Sequence, residues 1–246
     1  MTWDQMWELM WPATWETLGM VGIATVATIV IGLPLGLLLV LTDRGGLLQN
    51  LAVSRVLGVI VNVGRSIPFI ILIIALIPFT RWLVGTTLGW QAASVPLAIG
   101  AIPFFARLVE TSVREVDPGL VEALKAMGAG TATIVRKALL PEALSSLVAS
   151  LTTTVIALIG YSAMAGAVGG GGLGNLAVTY GYLRFETAFM WVIVAEIVII
   201  VTVLQTVGDF TARRLSHRGD YRSPLAMFRS ATAKPDDTEE DLLSSH

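Results

Sequence analysis

Few residues in this chain could carry covalent or acid–base chemistry. Its 246 residues include no cysteine and two histidines, His217 and His246. Thiolate nucleophiles, disulfides and cysteine metal sites are excluded, and imidazole chemistry is confined to the far C-terminus. The glycine run is more suggestive. Gly169, Gly171 and Gly174 fit G-x-G-x-x-G, a pattern in which backbone amides meet a pyrophosphate. That motif works after a strand, and no strand precedes Gly169. Gly169 to Gly174 also has the first spacing of G-x-x-x-x-G-K-[ST], but Asn175 stands where the Lys is needed. The sequence thus offers no ATPase site, and the glycines read as places of tight backbone approach or an irregular turn at the outer mouth of the molecule. Arg65 and Glu196 are charges set in apolar runs, where an unpaired charge costs at least about 3 kcal/mol. One acidic group is too few for a proton relay, so both read as structural, and the sequence leaves their mutual pairing open. Tyr161 and Met164, three apart, share a helix face. A thioether beside an aromatic ring makes a soft plug, or simply ordinary packing.

The elements that must position these residues are set by apolar runs. The chain is 54% hydrophobic and 14% charged, against about 45–50% and 25% in soluble domains. Its net charge of −2 excludes a nucleic-acid surface as its main business. About 20 apolar residues cross a hydrocarbon core. Five spans are expected, at about 17–42, 56–80, 92–113, 145–165 and 187–211, giving an all-α polytopic membrane protein. Gly85, Gly89 and Gln91 mark a loop before the third span, and Gly166 to Gly174 one after the fourth. Of the 16 Lys and Arg residues, all but Arg65, Arg81 and Arg184 fall on one side, which is therefore cytoplasmic. The N-terminus is expected outside and the C-terminus inside.

Residues 1–16 form an expected interfacial helix. Trp3, Trp7, Trp11 and Trp15 recur every fourth residue, one stripe of rings that suits a membrane boundary, and Pro12 is expected to separate this helix from the first span. The tail, 219–246, contains the acidic run 236–241 and is expected to be disordered. The longest polar stretch between spans runs from Arg107 to Glu142 on the cytoplasmic side. Asp117 suits an N-cap and Pro118 the first helical position. Leu120, Val121, Leu124 and Met127 follow at helical spacing, Gly128 and Gly130 supply a turn, and a second helix is expected from Thr131 to Leu140, stopped by Pro141. Such an amphipathic helix either docks into a groove of another protein, lies on the bilayer, or packs on neighbouring loops.

The sequence Glu122-Ala123-Leu124, with Gly128 six residues after the Glu and Leu140-Pro141 beyond it, resembles the EAA loop of ABC-importer permeases. The second Ala of that pattern is Leu124 here, and its Ile position is Ala138. Two segments, 65–72 and 160–169, resemble the methionine-uptake permease subfamily, as does the count of five spans. The resemblance covers about residues 5–218. It implies a type I importer permease in which loop 114–142 holds a coupling helix that inserts into an ATPase subunit, with Leu120, Val121, Glu122, Ala123, Leu124, Gly128, Leu140 and Pro141 as its coupling residues. It implies that Tyr161 and Met164 meet their symmetry mates and close the pathway. It also implies a homodimer, two ATP-binding cassette subunits holding ATP and Mg, an extracytoplasmic binding protein, residence in the bacterial inner membrane, no cofactor on this chain, and methionine, D- or L-, as cargo. Another amino acid, an osmoprotectant or a phosphonate would keep the class. An ion-coupled carrier or a scaffold would change it, and against the carrier stand the lack of a visible inverted repeat and the scarcity of buried ionisable groups.

Overall fold

The structure, a computed structural model, describes residues 2–216; His217, His246 and the tail expected at 219–246 lie outside the described residues. Every regular element described is helical. The first, α1 (Trp3–Thr42), is a single helix of 40 residues, about 60 Å at 1.5 Å per residue and twice a bilayer core. The break expected at Pro12 is absent. Met6, Met10 and Ala13 on either side of it are buried against Leu173, Phe189 and Ile193, so neighbouring segments hold the helix through the lost hydrogen bond.

The second expected span, 56–80, is not one straight helix. α2 (Leu51–Ser66) and α3 (Phe69–Ala75) meet at 102°, and α4 (Ile77–Val84) follows. Ile67 and Pro68 are extended, because the residue before a proline is pushed out of the helical region. Gly85 closes α4 with φ of 82°. α5 (Trp90–Arg114) is the central helix. With α1, and with the later helices Thr131–Ala167 and Thr187–Ser216, it makes four helices long and apolar enough to cross a membrane; the bent α2–α3 pair gives a fifth if counted as one span.

Beyond α5 come α6 (Pro118–Ala126) and α7 (Thr131–Ile134). The stop expected at Pro141 does not occur. The chain widens into a π-helical stretch, Val135–Leu139, and continues as α8 (Leu140–Ala167). A π turn moves the preceding carbonyls away from the proline ring, which an α turn would not. The last elements are α9 (Gly172–Leu176), a second π stretch over Ala177–Leu183, and α10 (Thr187–Ser216).

The principal packing is α1 on α5. A Cβ at Gly36 would stand 2.5 Å from the Ala106 carbonyl oxygen and 2.6 Å from Val109 Cβ, and one at Gly32 3.0 Å from Phe105 Cδ1. Two glycines four apart thus let the backbones meet, as in membrane helix pairs generally. Met20, Ala24, Leu97, Ala101 and Leu158 extend the contact to α8. Val30, Ile60, Ile199 and Val203, by contrast, face outward.

At the end of this pair the helices are tied by charge. Arg114 Nη2 donates to Asp43 Oδ2 at 2.5 Å and to Glu110 Oε1 at 2.9 Å, while Arg107 Nη1 donates to Glu110 Oε2 at 2.6 Å. Glu110 is buried, yet both its oxygens are taken. The hydrogen bond from Arg114 holds the Asp43 carboxyl below its ordinary value of 3.8.

Three substitutions test this packing. Gly36→Leu should lower the melting temperature of the solubilised protein by the equivalent of about 1–3 kcal/mol of overpacking, whereas Gly22→Ala, with open space at its Cβ, should not; equal melting of G36L and wild type would refute the close approach. Asp43→Asn should cost less than about 1 kcal/mol at pH 7, because both partners are partly exposed. Since the folded pKa is depressed, the pair contributes fully above the ordinary carboxylate range and is lost as pH falls through the folded value. D43N should therefore weaken the dependence of stability on pH below about 4. Glu110→Gln should cost more, about 1.5–3 kcal/mol, by weakening two charged hydrogen bonds at a buried position.

Candidate functional site

Helix α6 stands at the end of the molecule that carries Arg107, Arg114, Arg136 and Lys137. Asp117 caps it, its Oδ1 accepting from the Gly119 amide at 2.8 Å, and Pro118 opens it. Met127 and Gly128 close it, Gly128 with φ of 77°, which only glycine adopts cheaply. Both ends are therefore defined by local chemistry. None of the nine residues is buried. Val121 and Leu124 lean on Val113, Val116, Ile134 and Leu139, which fixes how α6 sits. Glu122, Ala123 and Leu120 are exposed, and Met127 is 73% exposed. The outer face of α6 thus presents leucine, alanine and methionine carbons around one carboxylate, the composition of a helix that docks in a groove.

The eight residues expected to act at this loop divide into two groups. Leu120 to Leu124 and Gly128 belong to α6 and its closing turn. Leu140 and Pro141 lie in the first turn of α8, where Leu140 is half-buried against the cluster that holds Ile134 and Leu139 and Pro141 is exposed. α6 touches α7 and the π stretch that leads into α8.

That helix carries Tyr161 and Met164 near its other end. The Tyr161 ring stacks on Phe69 of α3, centroids 4.6 Å apart and planes 13° apart. Met164 is 49% exposed and packs on no other buried cluster. Sequence spacing found the shared face of these two residues; it missed Phe69, which comes from a segment 92 positions away (161 − 69) and carries no spacing signal.

The glycine run follows. Gly169, Gly171 and Gly172 have φ of 91°, 73° and 70°. A Cβ on Gly172 would lie 2.5 Å from Thr17 Oγ1, and one on Gly171 2.7 Å from Glu16 Oε2. Those α1 oxygens accept hydrogen bonds from the Gly172 amide at 2.7 Å and the Leu173 amide at 2.9 Å. The amides that could have met a phosphate are thus turned onto α1, and the glycines serve close approach. Gly166 and Gly174 interlock likewise, a Cβ on either falling within 2.6 Å of the other segment's backbone.

Arg65 and Glu196 do not pair. Glu196 Oε1 contacts Thr14 Oγ1 of α1, and its Oε2 is buried with no hydrogen-bond partner. Arg65 makes no ion pair or hydrogen bond among the described residues. The Arg107–Glu110–Arg114 set was also missed, although its 3- and 4-residue spacing on one helix face was legible. Among the described residues, no group of three or more His, Asp or Glu side chains could hold a metal ion.

Residues 32–220 match the family model described as the binding-protein-dependent transport system inner membrane component. The chain is 55% identical over 214 residues to the "Probable D-methionine transport system permease protein MetI" of Pasteurella multocida, covering 87% of this chain and 99% of that one. It is 51% identical over 209 residues to the methionine import system permease protein MetP of Bacillus subtilis, covering 85% and 94%. Among solved structures, an inward-facing conformation of the MetNI methionine ABC transporter superposes with a TM-score of 0.85 at 48% identity, over 87% of this chain and 99% of that one. An amino acid ABC transporter crystallised with histidines shares the fold, with a TM-score of 0.69 at 20% identity over 84% and 94%. The all-α bundle, the displayed helix α6 and these similarities agree, and the chain belongs to the family of inner-membrane components of binding-protein-dependent transport systems.

Proposed function

We propose that this chain is the permease subunit of an ATP-driven importer of methionine, working as a homodimer with two separate ATPase subunits. The observation that carries the coupling half of this reading is α6: a helix capped at both ends, with no residue buried, seated on α7 and the π stretch that leads into α8. The cargo half is supported by relatives at 51–55% identity whose names specify methionine or D-methionine. ATP and Mg belong to the ATPase subunits. Glu122 and the exposed carbons of Leu120, Ala123 and Met127 enter a cleft of that partner. Val121 and Leu124 transmit its movement to the bundle, and Gly128 lets the loop turn back.

Binding of ATP draws the ATPases together and moves both copies of α6 inward. The helices, each rigid and packed on its neighbours, then rotate as bodies, which converts an inward-open pathway into an outward-open one. A substrate-binding protein delivers methionine at the outer face, on the side of Trp3 and the glycine run. The cytoplasmic side is that of Asp43, Arg114 and α6, where the basic residues collect. Tyr161 and Met164 meet their symmetry mates on the axis between the two copies and close the pathway, a ring and a thioether giving a seal that yields without a rigid fit.

Reconstitution with the ATPase and binding protein in liposomes tests this. Wild-type vesicles should accumulate methionine only with ATP, and Glu122→Arg should cut uptake at least about tenfold, or 1.4 kcal/mol of coupling, while the chain still inserts. Normal ATP-driven uptake by E122R would overturn the assignment of α6. Replacing Tyr161 and Met164 together by Ala should raise methionine leak or uncoupled ATP hydrolysis. A tightly coupled double variant would exclude the gate.

A further inference from the structure

The bend between α2 and α3 leaves a cleft of about 250 Å³, bordered by Gly64, Arg65, Ile67, Phe69, Gly100 and Tyr161. α2 starts at Leu51, just past the loop at the charged end of α1, and Arg65 lies 14 positions further on, roughly 21 Å along the helix axis. That is well inside a hydrocarbon core of about 30 Å. Irregular backbone at this depth is stable only when enclosed by protein or facing a water-filled space. Ser66 Oγ donates to the Asn62 carbonyl at 2.8 Å, so its hydroxyl is satisfied within α2. The guanidinium of Arg65 is left without a partner among the described residues. Arg65 is exposed where it borders the cleft, and a guanidinium at membrane depth that faces a cleft is placed to receive an anion.

We infer that this cleft is a way-station on the transport path, in which the Arg65 guanidinium receives the carboxylate of the carried amino acid while its side chain lies against the Phe69–Tyr161 pair. The inference rests on the transport function proposed above and adds a substrate site to it. Guanidinium and carboxylate match as two parallel N–H···O bonds, a geometry that an ammonium group does not reproduce. The stacked rings of Phe69 and Tyr161, 4.6 Å apart, give an apolar wall suited to a thioether or an aliphatic chain. Glycines keep the bordering helices close: a Cβ on Gly64 would fall 2.9 Å from Pro103 Cγ, and one on Gly100 3.2 Å from Leu72 Cδ2 and 3.4 Å from Phe69 Cδ2. The space is smaller than pockets for drug-sized ligands, as a single amino acid requires. One charge pair and no second polar clamp gives weak holding, which a transport path needs for release. Tyr161 then has two neighbours to serve, since the ring that closes the pathway also walls the site.

The test uses the assembled permease–ATPase complex in nanodiscs, without binding protein, and in liposomes with it. In the wild-type complex, methionine should slow modification of Arg65 by phenylglyoxal, read by mass spectrometry, and methioninol, which lacks the carboxylate, should not. In liposomes, matched for the amount of assembled complex, Arg65→Lys and Arg65→Gln should each raise the KM for methionine uptake about tenfold. Lysine reaches a membrane boundary as readily as arginine, so a wild-type KM in R65K and R65Q would mean that Arg65 only snorkels and would overturn the site. Equal reactivity of Arg65 with and without methionine, in a complex that imports methionine, would also overturn it and assign the guanidinium to lipid phosphate. A wild-type complex with no ATP-driven uptake of methionine, in contrast, would reject the proposed function itself.

Discussion

The bundle depends on one close approach, that of α1 to α5 at Gly32 and Gly36. In a bilayer, lipid tails are as apolar as leucine, so burial of carbon alone does not drive helices together; van der Waals contact between closely matched surfaces must do so. At Gly36 the fit leaves no room for a single methyl group, which would meet the Ala106 carbonyl oxygen at 2.5 Å. The other elements are built onto that pair. Val61 of α2 is buried against Leu39 and Ala106, Leu158 of α8 against Met20 and Leu97, and the glycine loop hydrogen-bonds to Glu16 and Thr17.

Charge appears where this packing ends. Glu110 is buried among apolar side chains and still fully satisfied, because Arg107 and Arg114 flank it at helical spacing and Asp43 shares the second guanidinium. The arrangement joins the last turn of α5 to the cap of α1, so the two helices are tied together where their packing ends. α6 leaves from this tied end. Its inner face, Val121 and Leu124, packs on the cluster that includes Val113 of α5, Val116 of the bend after it and Leu139 of the π stretch before α8. On the coupling proposed for α6, force entering at Glu122 would reach the α1–α5 pair and α8 through packed carbon, with no flexible linker between.

The opposite end is built for irregularity. The positive-φ glycines at 169, 171 and 172 lie against Leu88, Glu16 and Thr17, and the π stretch at 177–183 follows them and packs on α10. Broken backbone in a membrane protein requires internal partners, and α1 supplies them through Glu16 and Thr17. The same helix that is packed onto α5 on one side therefore anchors the glycine loop on the other.

Sequence by itself determined the class of the molecule. Long apolar runs leave an all-α membrane fold as the only way to pair every backbone group in lipid, and an uneven spread of Lys and Arg separates one face from the other. It determined α6 as well, because Asp117, Pro118, Gly128 and the spacing of Val121 and Leu124 act locally. It failed at the prolines. Pro12 and Pro141 read as breaks, since a proline removes a hydrogen bond, but whether the helix survives depends on neighbours such as Phe189 and Ile193 that hold it, or on a π turn that makes room. Pro68, with the same local chemistry, does break its helix. Nor did any spacing reveal that Phe69 stacks on Tyr161, that Glu196 meets Thr14, or that Arg65 borders a cleft with both of those rings. Those facts are contacts between segments far apart in the chain, and only the packing of α1, α3, α8 and α10 in three dimensions decides them.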